Sequence, residues 1–193
     1  GADKSATGML HARILRSSHA HAEIVSIDTS KAEALAGVKA VVTGDDFGEV
    51  ESADTRYTLH NCMAHGRALY DGHAVAAVAA ISKKIAAEAL KLIEIEYKVL
   101  PHVTDVDAAI QPGAPVLHEG VKSRKLGDDV SGNTVGYYEF GHGDVEAGFA
   151  AADKVIERNF KTAATHQGYI EPHACLADLG SDGRGELWCC TQG

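Results

Sequence analysis

Four groups of side chains have types and spacings that could do chemistry. His19 and His21 stand two residues apart, which on an extended strand puts both imidazoles on one face, a geometry a metal ion could use. His166, Gln167, Glu171 and His173 crowd polar groups into eight residues of an otherwise apolar stretch, as the wall of a polar ligand's site would. His173 and Cys175 are also two apart and could pair a base with a nucleophile. Gly141-His142-Gly143-Asp144 leads into a helix start, where unpaired amides could hold a phosphate.

Each group also has a plainer reading. His19 and His21 lack a third ligand at a fixed spacing, so a turn with solvated or hydrogen-bonded histidines accounts for them. Pro172 interrupts the second group, where a Glu beside two His also makes an ion-paired bend. No residue nearby supplies the group that would orient His173 against Cys175. The glycine segment lacks the GxxxxGK and GxGxxG contexts, and Asp144 repels an anion, so it reads as a loop ending in an N-cap. Cys62, Cys175, Cys189 and Cys190 show no CxxC spacing, and two are adjacent. They read as reduced structural thiols rather than as metal ligands or a disulfide framework.

Composition narrows the partners. Asp and Glu outnumber Lys and Arg by 27 to 18, for a formal charge of -9, which argues against nucleic acid, and the basic run at 122–125 is too small to reverse this. The longest apolar run, 74–81, is eight residues and is followed by Lys83 and Lys84, well short of the ~20 needed to span a membrane. The opening residues GADKSATG show no basic-then-apolar leader, so a cytoplasmic protein is expected.

The elements that must position these groups follow from periodicity. Residues 9–15 and 22–27 alternate as strands about a turn at Ser17, Ser18 and His19. Ser30 and Glu33 match a capping box, predicting a short helix through Leu35 that Gly37 ends in a left-handed conformation. Residues 38–43 read as a strand, and 48–72 as a long excursion with little regular structure. Residues 74–81 suit a strand buried on both faces, Ser82 caps a helix to about Leu92, and 93–99 returns as a strand. This strand, helix, strand unit makes the class α/β, with a mixed α+β sheet. Residues 111–142, with Pro112, Pro115 and repeated glycines, read as a linker. Asp144 caps a helix over 145–152, and strands are expected at 155–163, 174–179 and 186–191. A unit of about fifty residues is near the lower limit for independent folding, so it looks truncated.

Four blocks carry a resemblance: GMLHARILRSSHAHAEIVSIDTSKAEALAGVKAVVTGDDF at 8–47, LYDGHAVAAVAAISKKIAAEALKLIEIEYKVLP at 69–101, GDVEAGFAAADKV at 143–155, and HQGYIEPHACLAD with ELWCCTQ between 166 and 192. Together they resemble the molybdopterin-binding large subunit of the xanthine dehydrogenase and aldehyde oxidase family. The resemblance implies an a/b hammerhead domain at 8–101, a linker at 102–142, and at 143–193 the truncated, β-rich start of the molybdenum-cofactor-binding domain. The segment ahead of Gly8 matches the family's usual opening poorly, as a trimmed domain would.

The family implied is one of oxidoreductases that insert water-derived oxygen into an aldehyde, an N-heterocycle or an aromatic acyl-CoA, or run the related reduction. Its members carry molybdopterin cytosine dinucleotide. A [2Fe-2S] cluster needs about four closely spaced thiolates, which this chain lacks. Iron-sulfur clusters and FAD are therefore expected on partner iron-sulfur and flavin subunits, with the remainder of the large subunit as a further partner. No catalytic or metal-ligating residue is carried over, and no cofactor is expected on this chain by itself. The resemblance assigns one cofactor contact, Gln167, near the metal's apical oxo ligand; a gapless alignment on Tyr169-Ile170-Glu171 sets Thr165 at that place. It also implies that 122–142 and 166–173 lie near the pterin or substrate funnel. The rival expectations are a free-standing hammerhead protein acting as a binding or assembly module, and a small metal protein using His19 and His21.

Overall fold

Alternating apolar side chains build the first strands, β1 (His11–Arg16) and β2 (Ala22–Asp28), on either side of a run of bends. The computed structural model describes residues 3–118, 132–134 and 140–191. It forms two compact units, Gly8–Tyr138 and Gly1–Thr7 with Glu139–Gly193.

In the first unit, α1 (Ser30–Glu33) leads to β3 (Val38–Thr43) and a 3-10 turn, Gly44–Phe47. Then come α2 (Ala53–Cys62), β4 (Arg67–Ala68), β5 (Ala74–Ala80), α3 (Lys83–Leu90), β6 (Glu94–Val99) and α4 (Val106–Ala109). β5 lies between β1 and β3, antiparallel to both, with Arg13 and Val41 both opposite Val78. A second antiparallel sheet has the order β4-β2-β6. The α/β class holds, and α3 connects strands of two different sheets rather than parallel neighbours in one.

The central place of β5 explains its composition. Ala76, Val78 and Ala80 are fully buried, and the small alanines let α1 and α3 approach through Ala32 and Ala89. Ile93 completes this cluster, against which Leu15, Ile27, Val41 and Ile95 pack from both sheets. Burying a Val side chain here contributes roughly 1.5–3 kcal/mol. Gly37 has the left-handed conformation expected of it, at φ +97°, but α1 stops short of Leu35, at Glu33 with Ala34 as its C-cap. Ser82 Oγ accepts the Ile85 N–H at 3.2 Å, and Asp144 Oδ1 accepts the Ala147 N–H at 2.9 Å, so both predicted caps are present.

Three local expectations are overturned. Ser30 and Glu33 form no capping box: Thr29 is the N-cap, its hydroxyl donates to Glu33, and Asp28 Oδ1 accepts the Ser30 N–H. The capping box lies at Thr43 and Asp46 instead, where the 3-10 turn begins. The excursion at 48–72 contains α2, a polar helix capped by Ser52 accepting from the Thr55 N–H at 3.3 Å. Finally, 155–163 forms no strand. It has apolar side chains in Val155, Ile156 and Phe160, but a segment becomes a strand only beside a partner that takes its hydrogen bonds, and there is none among the described residues.

The second unit contains α5 (Val145–Ala151) and one antiparallel hairpin, β7 (Cys175–Leu179) with β8 (Gly185–Cys189). Lys4 Nζ sits 5.4 Å from the centre of the Trp188 ring on this hairpin. Phe140, Phe160 and Ile170 are more than nine-tenths exposed, so the unit gathers no core of its own around them.

Candidate functional site

The histidines that could have held a metal are separated in role. His21 is buried and donates from Nδ1 to the Pro101 carbonyl at 2.7 Å, tying β2's start to the end of β6. His19 lies in the bend and packs edge-on against Tyr97, with centroids 4.9 Å apart. Burial raises the Tyr97 phenol above its ordinary value, and a bond with Ser17 partly opposes this. The turn reading therefore accounts for His19 and His21, and no group of three metal-capable side chains occurs among the described residues.

The polar segment 166–173 is exposed and has no regular structure. His166 Nδ1 accepts the Gly168 N–H at 3.0 Å across a glycine at φ +69°. The rings of His166, Tyr169 and His173 then follow one another at centroid distances of 4.8 and 4.4 Å. Gln167 falls between His166 and Tyr169 in the sequence, and its amide offers both a donor and an acceptor. The donor set fits a polar cofactor edge such as a pterin or an oxo group. Enclosure is what these residues do not provide, since every one from 166 to 171 is exposed.

The thiol seen in contact with His173 is that of Cys190. Cys190 Sγ lies 3.9 Å from His173 Nδ1, accepts the Ala174 N–H at 3.3 Å and donates to the Pro172 carbonyl at 3.3 Å. His173 and Cys175, set aside as a base and nucleophile for want of an orienting group, are not paired by a common strand face either: β7 begins only at Cys175, so His173 precedes the strand. At Gly141–Asp144, the Asp144 carboxylate occupies the start of α5 as a cap, leaving the loop reading in place. The basic run at 122–125 and most of 122–142 lie outside the described residues.

The sequence reading missed His73. It is fully buried, stacks on Tyr70 at 4.3 Å, and accepts the Leu69 N–H on Nδ1 at 3.1 Å. That bond puts the proton of the neutral ring on Nε2, which faces the His60 and Asn61 carbonyls but has no partner in hydrogen-bond geometry. Burial holds the His73 imidazole below its ordinary value, more than the carbonyls raise it. A His just after Gly72 and before an apolar run was the signal available. Nearby, a cavity of about 250 Å³ is lined by Asp45, Arg56, His60 and His65. His60 and His65 stack there at 4.9 Å, and Asp45 meets His65 Nδ1 at 3.1 Å. His60 is held low by burial first and then by the His65 and Arg56 charges.

An antiparallel two-sheet unit followed by a hairpin unit with a polar, ring-lined segment matches two sequence profiles in chain order. Residues 2–101 match the a/b hammerhead domain of aldehyde oxidase and xanthine dehydrogenase, and residues 126–193 match the molybdopterin cofactor-binding domain. The chain belongs to the aldehyde oxidase and xanthine dehydrogenase family, in agreement with the four blocks. Among proteins it resembles, a probable xanthine dehydrogenase subunit of Bacillus subtilis is 37% identical over 98% of this chain and 24% of the relative. The carbon monoxide dehydrogenase large chain of Afipia carboxidovorans is 34% identical over 96% and 24%. A crystal structure of a Cu,Mo-CO dehydrogenase in its carbon-monoxide-reduced state superimposes with a TM-score of 0.83 at 33% identity, over 97% of this chain and 25% of that one. The chain thus spans about a quarter of the length of these relatives. Among the described residues, no helix is long and apolar enough to cross a membrane.

Proposed function

We propose that this chain is the hammerhead domain, at 8–101, a linker, at 102–142, and the opening of the cofactor domain, at 143–193, of a molybdenum hydroxylase large subunit. The whole enzyme inserts water-derived oxygen into an aldehyde, an N-heterocycle or an aromatic acyl-CoA, or runs the related reduction. It works in the cytoplasm with iron-sulfur and flavin subunits. Two family profiles in the family's order on one chain carry this reading.

The cofactor, molybdopterin cytosine dinucleotide, supplies the redox centre at which oxygen transfer takes place. Gln167 would hold the cofactor through its side-chain amide, a donor and an acceptor on a segment where the His166 and Tyr169 rings lie 4.8 Å apart. The domain before Pro101 acts mainly as scaffold and interface, a role supported by the bonds that Ser17 Oγ, His21 Nδ1 and His73 Nδ1 make to the backbone. Alone, the chain is catalytically silent.

Elemental analysis of the purified chain, with dye-reduction assays on an aldehyde and an N-heterocycle, tests the reading. Molybdenum well below stoichiometry and no turnover are expected; stoichiometric molybdenum with turnover overturns it. In the full-length enzyme, Gln167→Ala is expected to lower kcat by about tenfold to a hundredfold, the order seen when one donor to a reacting centre is removed.

A further inference from the structure

Cys175 and Cys189 face each other as register partners at the open end of the β7–β8 hairpin, and both are exposed. The ladder's hydrogen bonds fix the kind of rung they occupy. Cys190 N–H donates to the Ala174 carbonyl at 3.4 Å, and Gly180 N–H donates to the Arg184 carbonyl at 2.7 Å. Hydrogen-bonded rungs therefore fall at 174/190 and 180/184 and alternate between, so 175/189 is a non-hydrogen-bonded rung. On such a rung Cα atoms are about 4.5 Å apart and side chains are at their closest. That spacing falls within the window of about 4.4–6.8 Å that a disulfide spans.

The other thiols are placed differently. Cys190 follows Cys189 directly, so its side chain lies on the opposite face, where Ala174, Pro172 and His173 surround its sulfur. Cys62 belongs to the Gly8–Tyr138 unit. On the Cys175/Cys189 face the neighbouring cross-strand pair is Ala177 and Leu187, with Leu187 and Leu179 well exposed, so no bulky cover keeps a small disulfide away.

We propose that Cys175 and Cys189 form a thiol-disulfide exchange pair that low-molecular-weight disulfides oxidise to a cross-strand bridge. One thiolate attacks a sulfur of the small disulfide, forming a mixed disulfide and expelling one small thiolate. The facing protein thiolate then attacks the protein sulfur of that mixed disulfide and expels the second. Two protein thiols lose two electrons and two protons, and one small disulfide becomes two small thiols. The bridge fixes the register of the hairpin that follows segment 166–173, without involving Cys190.

The test treats the reduced full chain with excess glutathione disulfide, blocks remaining thiols with an alkylating agent, and maps peptides by mass spectrometry. The expected product carries a Cys175–Cys189 link two hydrogens lighter than the dithiol, has Cys62 and Cys190 outside any protein disulfide, and returns to the dithiol with a reducing agent. Cys190→Ser is expected to form the same link. Cys189→Ser and Cys175→Ser are expected to stop at one stable glutathione adduct on the remaining partner. Links joining Cys189 to Cys190, Cys175 to Cys190 or either cysteine to Cys62, links between chains, or adducts on both cysteines without a link, overturn the proposal. Mapping the unmutated chain decides the matter even if a variant folds poorly.

Discussion

Gly44 is buried with an ordinary backbone φ, yet a Cβ built on it would lie 2.3 Å from the Ala64 carbonyl oxygen, 2.9 Å from its carbon and 3.1 Å from the His65 Cα. All three are backbone atoms, so no side chain can swing away. Gly44→Ala must move the 3-10 turn off the junction between α2 and β4 by about an ångström, and overpacking of this kind costs about 2–3 kcal/mol. At about 4 °C per kcal/mol for a unit this size, the melting temperature should fall by roughly 8–12 °C. Gly72→Ala is the control. Gly72 has φ +84° but open space around its missing Cβ, so only backbone strain acts, about 1–2 kcal/mol. Conformational reasoning alone ranks Gly72 as the costlier position, whereas the contact geometry ranks Gly44. Urea unfolding at unchanged m-value measures both. A Gly44→Ala loss smaller than that of Gly72→Ala would refute the close approach.

Three further outcomes follow from the same packing and titration. Burial holds His73 below its ordinary value of 6.5, so the unfolded chain takes up the proton first as pH falls. Stability held above that value should therefore be lost progressively below it, down to the folded pKa. His73→Phe should flatten this slope, while costing about 1–3 kcal/mol by leaving the Leu69 N–H without its acceptor; urea midpoints on either side of pH 6.5 read both effects. Val78→Ala should cost about 2 kcal/mol and the half-exposed Val25→Ala within about 0.5, compared by calorimetry. Ser82→Ala removes the acceptor of the Ile85 N–H and should cost about 1 kcal/mol, with faster amide exchange at the start of α3.

The contrast between α3 and α2 shows what the sequence made legible. α3 has a local cap in Ser82 and an alanine face at helical spacing, and Ala86 and Ala89 are buried as that spacing requires. α2 has no such stripe. Its anchoring is Ser52 at one end and, just beyond the other, buried Met63 and Ala64, with the Ala64 N–H donating to the Ala74 carbonyl at 2.8 Å. Those anchors depend on where β5 lies, which no local window contains. Segment 155–163 fails in the opposite direction: its apolar residues Val155, Ile156 and Phe160 suggest a strand, but do not state whether a partner strand stands beside it. His73 escaped notice because a histidine beside a turn looks solvated until the register of β5 draws it inside.

The same distinction separates the parts of the functional reading. A family is recognisable because its caps, glycines and buried strands are local patterns that survive in short blocks. A cofactor site is an enclosure, assembled from segments distant in sequence. In the Gly8–Tyr138 unit, buried His21 and His73 each commit Nδ1 to the unit's own backbone, at Pro101 and at Leu69, and His73 stacks on Tyr70. In the other unit the ordering is reversed: His166, Gln167, Tyr169 and His173 carry the suitable chemistry but lie exposed. Polar groups that are exposed cost nothing to desolvate until a ligand or a covering segment arrives, and a hydrogen bond to them in water contributes little. On the proposed reading, Gln167 would act on the cofactor only where water is excluded around it. An effect of Gln167→Ala on turnover is therefore expected in the enclosed enzyme, and the same substitution in this chain alone should leave stability unchanged within about 0.5 kcal/mol.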